Sequence, residues 1–203
     1  MFVTIEGVEG SGKSTLISGL AQRVRARGRE LFVTHEPGGT PVGEAVRSIF
    51  LEPGVRLGAL TEALLVNAAR AEHVAAAIRP ALAAGRVVIC DRFLDSTVAY
   101  QGFGRGFDLG VLAQLGQIAT GGLVPDRTFV LDIPIGVLRA RLAARGGAAD
   151  RLEAESDAFH ERVRAGFLHL ASGAPRYRVL DGTLAPETLV ESVMLDMFGA
   201  VAH

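Results

Sequence analysis

Cysteine, lysine and asparagine each occur once in this chain of 203 residues, as Cys90, Lys13 and Asn67. One cysteine excludes an intrachain disulfide framework and a multi-cysteine zinc site. Cys90 ends the apolar run Val87-Val88-Ile89-Cys90, where inert burial is the expected role. One asparagine, with no lysine beside it, excludes the N-K-x-D guanine-reading motif and so a regulatory GTPase. The formal net charge of −1 lacks the basic excess of many nucleic-acid binders, so no nucleic-acid partner is expected. No run is long and apolar enough to span a bilayer, so no membrane partner is expected. The N-terminus enters a strand-like run with no signal-peptide pattern, which makes cytoplasm the expected compartment. Repeats, low-complexity segments and an interdomain linker are missing too. The length and an apolar content of 49% suit one domain, residues 1–203, with a full core.

What is present begins at residue 7. Gly7-Val8-Glu9-Gly10-Ser11-Gly12-Lys13-Ser14, with Thr15 behind it, reads G-x-x-x-x-G-K-S, the pattern of a phosphate-binding loop. It follows the apolar run 2–5 and opens an amphipathic stretch, 16–27, and that strand-loop-helix context is what the pattern requires. Glycines let backbone N–H groups turn inward around a phosphate, and the helix start adds its positive end. In this reading Lys13 reaches the β- and γ-phosphates of ATP, and the Ser14 hydroxyl ligates Mg²⁺. Every other basic residue of the chain besides its histidines is arginine, which suggests that a compact ammonium is required at position 13. A glycine-rich turn that merely caps a helix is the bland alternative.

Strand-like runs at 2–6, 30–34, 86–90, 127–132 and 176–180 alternate with helix-like stretches at 14–27, 41–51, 60–84, 108–119, 135–145, 155–172 and 186–200. This alternation predicts an α/β fold with a mostly parallel five-stranded sheet and helices on both faces. Ligands bind at the carboxyl ends of such strands. Asp91 ends the third strand, the place of a Walker B carboxylate near Mg²⁺, or else of a helix N-cap. Arg92 follows, suited to bidentate phosphate recognition or to a surface ion pair. Arg139, Arg141, Arg145 and Arg151 cluster around Gly146-Gly147-Ala148-Ala149. Cations flanked by small residues suit a lid over a phosphoryl group, placed at about 145–155. A solvated helix end is the alternative, and is the preferred reading of Arg139 and Arg141. In the stretch 60–84, Arg70 and His73 share a face, but His73 is given no role.

Five stretches in order carry a resemblance: IEGVEGSGKST at 5–15, EPGGT at 36–40, AARAEHV at 68–74, DRFLDSTVAYQGFGRG at 91–106 and DRLEAES at 150–156. Over nearly its whole length the chain resembles thymidylate kinases, which convert dTMP to dTDP with ATP. The phosphate loop is generic, whereas the 91–106 stretch is far more specific. The resemblance implies a P-loop NTP hydrolase-like three-layer fold with a small lid, dTTP biosynthesis as the setting, and a homodimer. Residues 7–15 would hold ATP, with Ser14 and Asp91 near Mg²⁺. Glu9 would meet the acceptor's 3′-hydroxyl, Arg70 the thymine edge and Arg92 the dTMP phosphate. Glu36, Pro37, Ser96, Thr97 and Gln101 would line the acceptor site, and Tyr100 would form a wall. Glu9-Gly10 in the loop resembles the bacterial subclass whose catalytic arginine lies in the lid, with Arg151 the first choice and Arg145 the second.

Two departures stand out. Val66 occupies a position where related sequences commonly carry an aromatic residue that stacks on the base, and His35 replaces the usual arginine before Glu36-Pro37. The Glu36-Pro37 bond is left open between cis and trans. The acceptor, a phosphate monoester dianion at neutral pH, needs no general base; the task is to bring two anions together and stabilise charge in flight. Two other readings stay open: a P-loop kinase for a different mononucleotide or small-molecule acceptor, and a nucleotide-binding protein whose acceptor site has decayed.

Overall fold

A computed structural model describes residues 1–146 and 149–199. Five strands, β1 (Phe2–Glu6), β2 (Leu31–His35), β3 (Val87–Asp91), β4 (Arg127–Asp132) and β5 (Tyr177–Asp181), pair in the order β2-β3-β1-β4-β5, every pair parallel. Side chains alternate across each strand, and in the middle of the sheet both faces are apolar. Val3 and Ile5 of β1, Val87 and Ile89 of β3, and Phe129 and Leu131 of β4 face α1 (Lys13–Ala26) and α9 (Pro186–Phe198). Phe2, Val88 and Cys90 point the other way, onto Val74, Ile78 and Phe93. Thr4 and Thr128 also point there and share a buried hydrogen bond of 2.8 Å. The result is the three-layer α/β fold expected from the alternation.

The remaining helices are α2 (Pro41–Leu51), α3 (Ala59–His73), α4 (Arg79–Ala83), α5 (Leu94–Thr97), α6 (Leu109–Thr120), α7 (Ile135–Arg145) and α8 (Asp157–Ala171). Caps are local and legible. Thr40 accepts from Gly43 N at 3.0 Å ahead of Pro41, and Asp108 accepts from Val111 N at 2.8 Å.

Two stretches differ from the sequence reading. The expected helix 60–84 is continuous but changes pitch, with a π-helical turn over Val74–Ile78 joining α3 to α4. Pro80 has no N–H to give the preceding turn, which explains why regular α pairing fails there. Between residues 91 and 106, where no helix is expected, α5 runs into a seven-residue π-helix, Val98–Gly104. Glycines hide it from a propensity reading, yet they are needed for packing. A Cβ on Gly104 would lie 2.7 Å from the Phe159 ring of α8. The wide turn brings Tyr100 and Gln101 over the sheet mouth.

The expected lid segment runs from the end of α7 to the start of α8. Gly147 and Ala148 lie outside the described residues, as does Ala200 at the end of the expected helix 186–200. Among the described residues no helix is long and apolar enough to cross a membrane.

Candidate active site

The phosphate loop bridges β1 and α1, and its backbone dictates its glycines. Gly7, Gly10 and Gly12 have φ of 138°, 66° and 100°. At Gly7 a Cβ would also lie 2.5 Å from the Leu131 carbonyl oxygen, so the loop fits against β4 only without a side chain there. Lys13 is buried and donates to the carbonyls of Gly7 and Val8 at 3.2 and 3.0 Å. Burial, then the nearby Arg92 charge, pushes its ammonium down to about 8. An anion in the loop would reverse that pressure.

Arg92 leaves β3 with φ 70°, a left-handed conformation in a non-glycine residue. Such strain persists where surroundings over-determine it. Here Arg92 N donates to Ile5 O at 3.0 Å, and Nη1 donates to Gly7 O at 3.0 Å and to Ser96 Oγ at 3.2 Å. Nη2 lies 3.0 Å from Glu9 Oε1, and the guanidinium sits 5.1 Å from the Tyr100 ring centroid. The arginine expected at the mouth of the sheet is therefore fastened to the phosphate loop itself. Its alternative reading, a surface ion pair, does not hold.

Glu9 accepts from Tyr100 Oη at 2.6 Å through the oxygen that meets Arg92. Burial pushes its carboxyl up, but Arg92, Lys13 and the Tyr100 hydroxyl outweigh it and hold the group below the usual carboxylate range. Its other oxygen, Oε2, is buried with no hydrogen-bond partner among the described residues; His160 Nδ1 of α8 stands 3.7 Å away. Asp91 Oδ1 is buried and unpaired as well. Buried polar atoms are normally paired. Two unpaired carboxylate oxygens beside a phosphate loop fit a ligand that brings a donor or a cation to them. The Asp91 carboxylate and Ser14 hydroxyl, both on the cleft, are hard oxygen donors that fit Mg²⁺.

The acceptor side is built from α3, the β2 exit and the π-helix. Arg70 is almost wholly buried. It donates from Nε to Glu36 at 2.7 Å, from Nη1 to Asn67 Oδ1 at 3.1 Å, and from Nη2 to Phe93 O and Thr97 Oγ1 at 3.0 and 2.9 Å. One N–H of its fork, on Nη1, meets no acceptor among the described residues. His73, given no role from sequence, holds the far side of Glu36 at 3.0 Å and Thr34 Oγ1 at 2.6 Å. The Glu36-Pro37 bond is cis. His35 turns instead to Glu44 Oε1 at 3.0 Å.

These groups share one cleft of about 750 Å³. Glu9, Gly10, Lys13 and Ser14 line it from the loop; Asp91, Arg92, Ser96, Thr97, Tyr100 and Gln101 from β3 onward; Glu36, Pro37, Val66 and Arg70 from the acceptor side. Phe50 and Leu51 of α2 share the apolar wall with Val66, so the wall keeps an aromatic face although Val66 itself has none. Gly7, Val8, Ser11, Gly12 and Thr15 shape the loop without lining the cleft.

The lid arginines separate. Arg145 lines the cleft and pairs with Glu153 at 2.7 Å. Arg151, the first choice from sequence, does not line it. Its Nη1 donates to Glu62 Oε1, its Nε donates to Phe50 O at 2.8 Å, and its guanidinium lies 4.9 Å from the Phe50 ring centroid. A buried carboxylate that sequence reading passed over holds it there. Arg141 is not the solvated helix end expected of it, and Arg139, though 36% exposed, is only partly one. Arg139 donates to the carbonyls of Glu153 and Glu155 at 3.1 and 2.6 Å, and Arg141 braces the loop through Gly10 O at 3.0 Å and Gly182 O at 2.9 Å.

Glu6, Glu62 and His160 are residues that sequence reasoning missed, and Arg141 is one that it misread. Glu6 carried a signal, an acid closing an apolar strand. It is fully buried, takes Phe93 N at 2.8 Å, and is pushed up to about 8 by burial and then by Asp95.

Cations from two adjacent strand exits thus face one cleft, with room beyond the phosphate loop for a second phosphorylated molecule. That is the construction of a P-loop nucleoside monophosphate kinase. Comparisons with known proteins give the particular family. Residues 5–193 match the family described as Thymidylate kinase. The thymidylate kinase of Thermomicrobium roseum is 52% identical over 95% of this chain and 91% of its own, and that of Geobacter sulfurreducens 49% over 96% of each. A crystal structure of thymidylate kinase from Ehrlichia chaffeensis superposes with a TM-score of 0.77 at 32% identity, covering 97% of this chain and 98% of that one. The chain belongs to the thymidylate kinase family, and phosphorylation of dTMP is its activity. Neither a different acceptor nor a decayed site is favoured by these relatives.

Proposed function

We propose that this cleft transfers the γ-phosphoryl group of ATP directly to the phosphate of dTMP, giving dTDP for dTTP biosynthesis. The observation that carries the residue roles is the Arg92 guanidinium, 3.0 Å from Gly7 O and on the same cleft as Lys13. Lys13 and the loop amides hold the donor phosphates. Arg92 holds the acceptor phosphate against them. An acceptor oxygen attacks the γ-phosphorus as the bond to the ADP oxygen breaks, and no base is needed because the attacking oxygen is already anionic. Mg²⁺, held through Ser14 and Asp91, would neutralise charge on the donor phosphates when bound. Glu9 offers Oε2 to the 3′-hydroxyl of the sugar. Thr97, Gln101 and the free Arg70 N–H meet the base edge, Val66 and Phe50 its face, and Ser96 steadies Arg92.

Arg151 remains the arginine proposed to meet the transferring group. Its neighbours Asp150 and Leu152 both line the cleft, and in this reading its side chain leaves Glu62 for the transferring group when the substrates bind. Its Nη2 is buried and has no partner among the described residues. A kinase of this kind works where ATP is found, in the cytoplasm. A homodimer is supported by α2, α3 and α6, which pack side by side and expose Val42, Ile49, Leu60, Leu64 and Ile118.

An acceptor panel in a coupled ADP-release assay tests the reading. dTMP is expected to be turned over at the highest kcat/KM. A higher kcat/KM for dCMP or a purine nucleotide would refute the assignment of the base pocket.

A further inference from the structure

Glu62 lies on α3, fully buried, one helical turn before Val66 and two before Arg70. It touches neither the phosphate loop nor Arg92. Its carboxylate is instead where three donors meet. Gln101 Nε2 donates to Oε2 at 2.8 Å, Arg151 Nη1 donates to Oε1, and Arg105 Nη2 stands 3.2 Å from Oε1. Glu155 holds Arg105 from the other side at 2.6 Å.

A carboxylate facing two guanidiniums offers only acceptor oxygens. The Gln101 amide must therefore turn its NH₂ toward Glu62 and leave its carbonyl oxygen for the cleft it lines. Among the described residues nothing donates to that oxygen. Thr97, four residues earlier in the same helical run, fixes Arg70, whose spare N–H serves the same cleft. The base edge thus meets one donor and one acceptor. Thymine presents O4, an acceptor, next to N3–H, a donor; cytosine presents the reverse, an amino group next to a bare N3. With Gln101 turned over, the preference would turn over too.

We propose that Glu62 is a positioning residue for base specificity: by fixing the Gln101 amide it makes the cleft accept a ring N–H and reject a ring nitrogen lone pair. This rests on the reading of Gln101 as a base contact.

Glu62→Gln keeps the shape and tests the claim. The new carbonyl belongs beside Arg105 and Arg151, so the new NH₂ faces Gln101, which must then flip. The ratio of kcat/KM for dTMP to that for dCMP is expected to fall at least about tenfold, mainly through KM for dTMP, with KM for ATP unchanged. Adding Gln101→Glu to Glu62→Gln supplies a carboxylate that accepts the new NH₂ with one oxygen and offers the other to N3–H. The ratio should return to within about threefold of wild type. Simple loss of stability would lower both nucleotides alike and would not be rescued. An unchanged ratio in Glu62→Gln, with a lowered ratio in Gln101→Ala, would overturn the role of Glu62 and leave the base contact standing. An unchanged ratio in both would overturn the base contact and the proposal with it. If Glu62→Gln is too unstable to assay, failure of the double variant to prefer dTMP overturns the proposal.

Discussion

Arg92 Nη2 lies 3.0 Å from Glu9 Oε1, so the arginine at one strand exit is clamped to the acid of the loop at the neighbouring exit. The pair does two things. It orients the cation that is to hold the acceptor phosphate, and it leaves Glu9 Oε2 as an unpaired, negatively charged acceptor.

That free oxygen predicts a substrate-variant cycle. Wild-type enzyme should prefer dTMP over its 3′-deoxy analogue by at least about tenfold in kcat/KM, the scale of a hydrogen bond to a charged group. Glu9→Gln should shrink that preference to near unity. A preference kept in full by the variant would place the 3′-hydroxyl elsewhere.

Glu6 predicts a pH effect on stability. Its carboxyl is pushed from an ordinary 4.5 up to about 8, first by burial and then by Asp95. The folded state therefore holds a proton that the unfolded state releases above 4.5. This contribution weakens the fold progressively as pH rises from 4.5 to about 8 and changes little outside that window. Urea midpoints measured from pH 5 to 8 should fall less in Glu6→Gln than in wild type. Equal slopes would mean that Glu6 does not keep its proton.

Val66→Phe should tighten dTMP binding. Val66 lines the cleft beside Phe50, and stacking on a base is worth roughly 1–3 kcal/mol. Calorimetry is expected to give about tenfold or more in affinity. No gain would show that Phe50 already covers the base or that the wall is too full for a second ring.

The lid arginines differ in their surroundings, and their variants should differ too. Arg151 is largely shielded from water, where a charge acts strongly; Arg145 is more than half exposed and tied to Glu153. Arg151→Ala is expected to lower kcat by about a hundredfold and Arg145→Ala by less than about tenfold. The reverse order in single-turnover rates would assign the transferring group to Arg145.

Much of this was legible because periodicity and loop chemistry are local. All five strands fell within one residue of their expected limits, since short apolar runs bounded by turn residues mark them. The π-helix at Val98–Gly104 was not legible: its glycines speak against a helix, and packing against α3, α6 and α8, distant in sequence or later in the chain, stabilises it. Glu62 was half legible. With Val66, Arg70 and His73 it lies along one helical face, but a buried acid reads as a surface acid until its partners Gln101, Arg105 and Arg151, distant in sequence, are in place. Arg141 was misread for the same reason, since its partner carbonyls, Gly10 and Gly182, come from far along the chain.

The central claim is that fixed cations force two phosphates together, and Arg92→Ala addresses it directly. Steady-state rates with dTMP, measured with ATP affinity on the same protein, should show kcat/KM for dTMP reduced at least about a hundredfold and ATP affinity within about threefold of wild type. Rates with dTMP within about threefold of wild type would contradict the account.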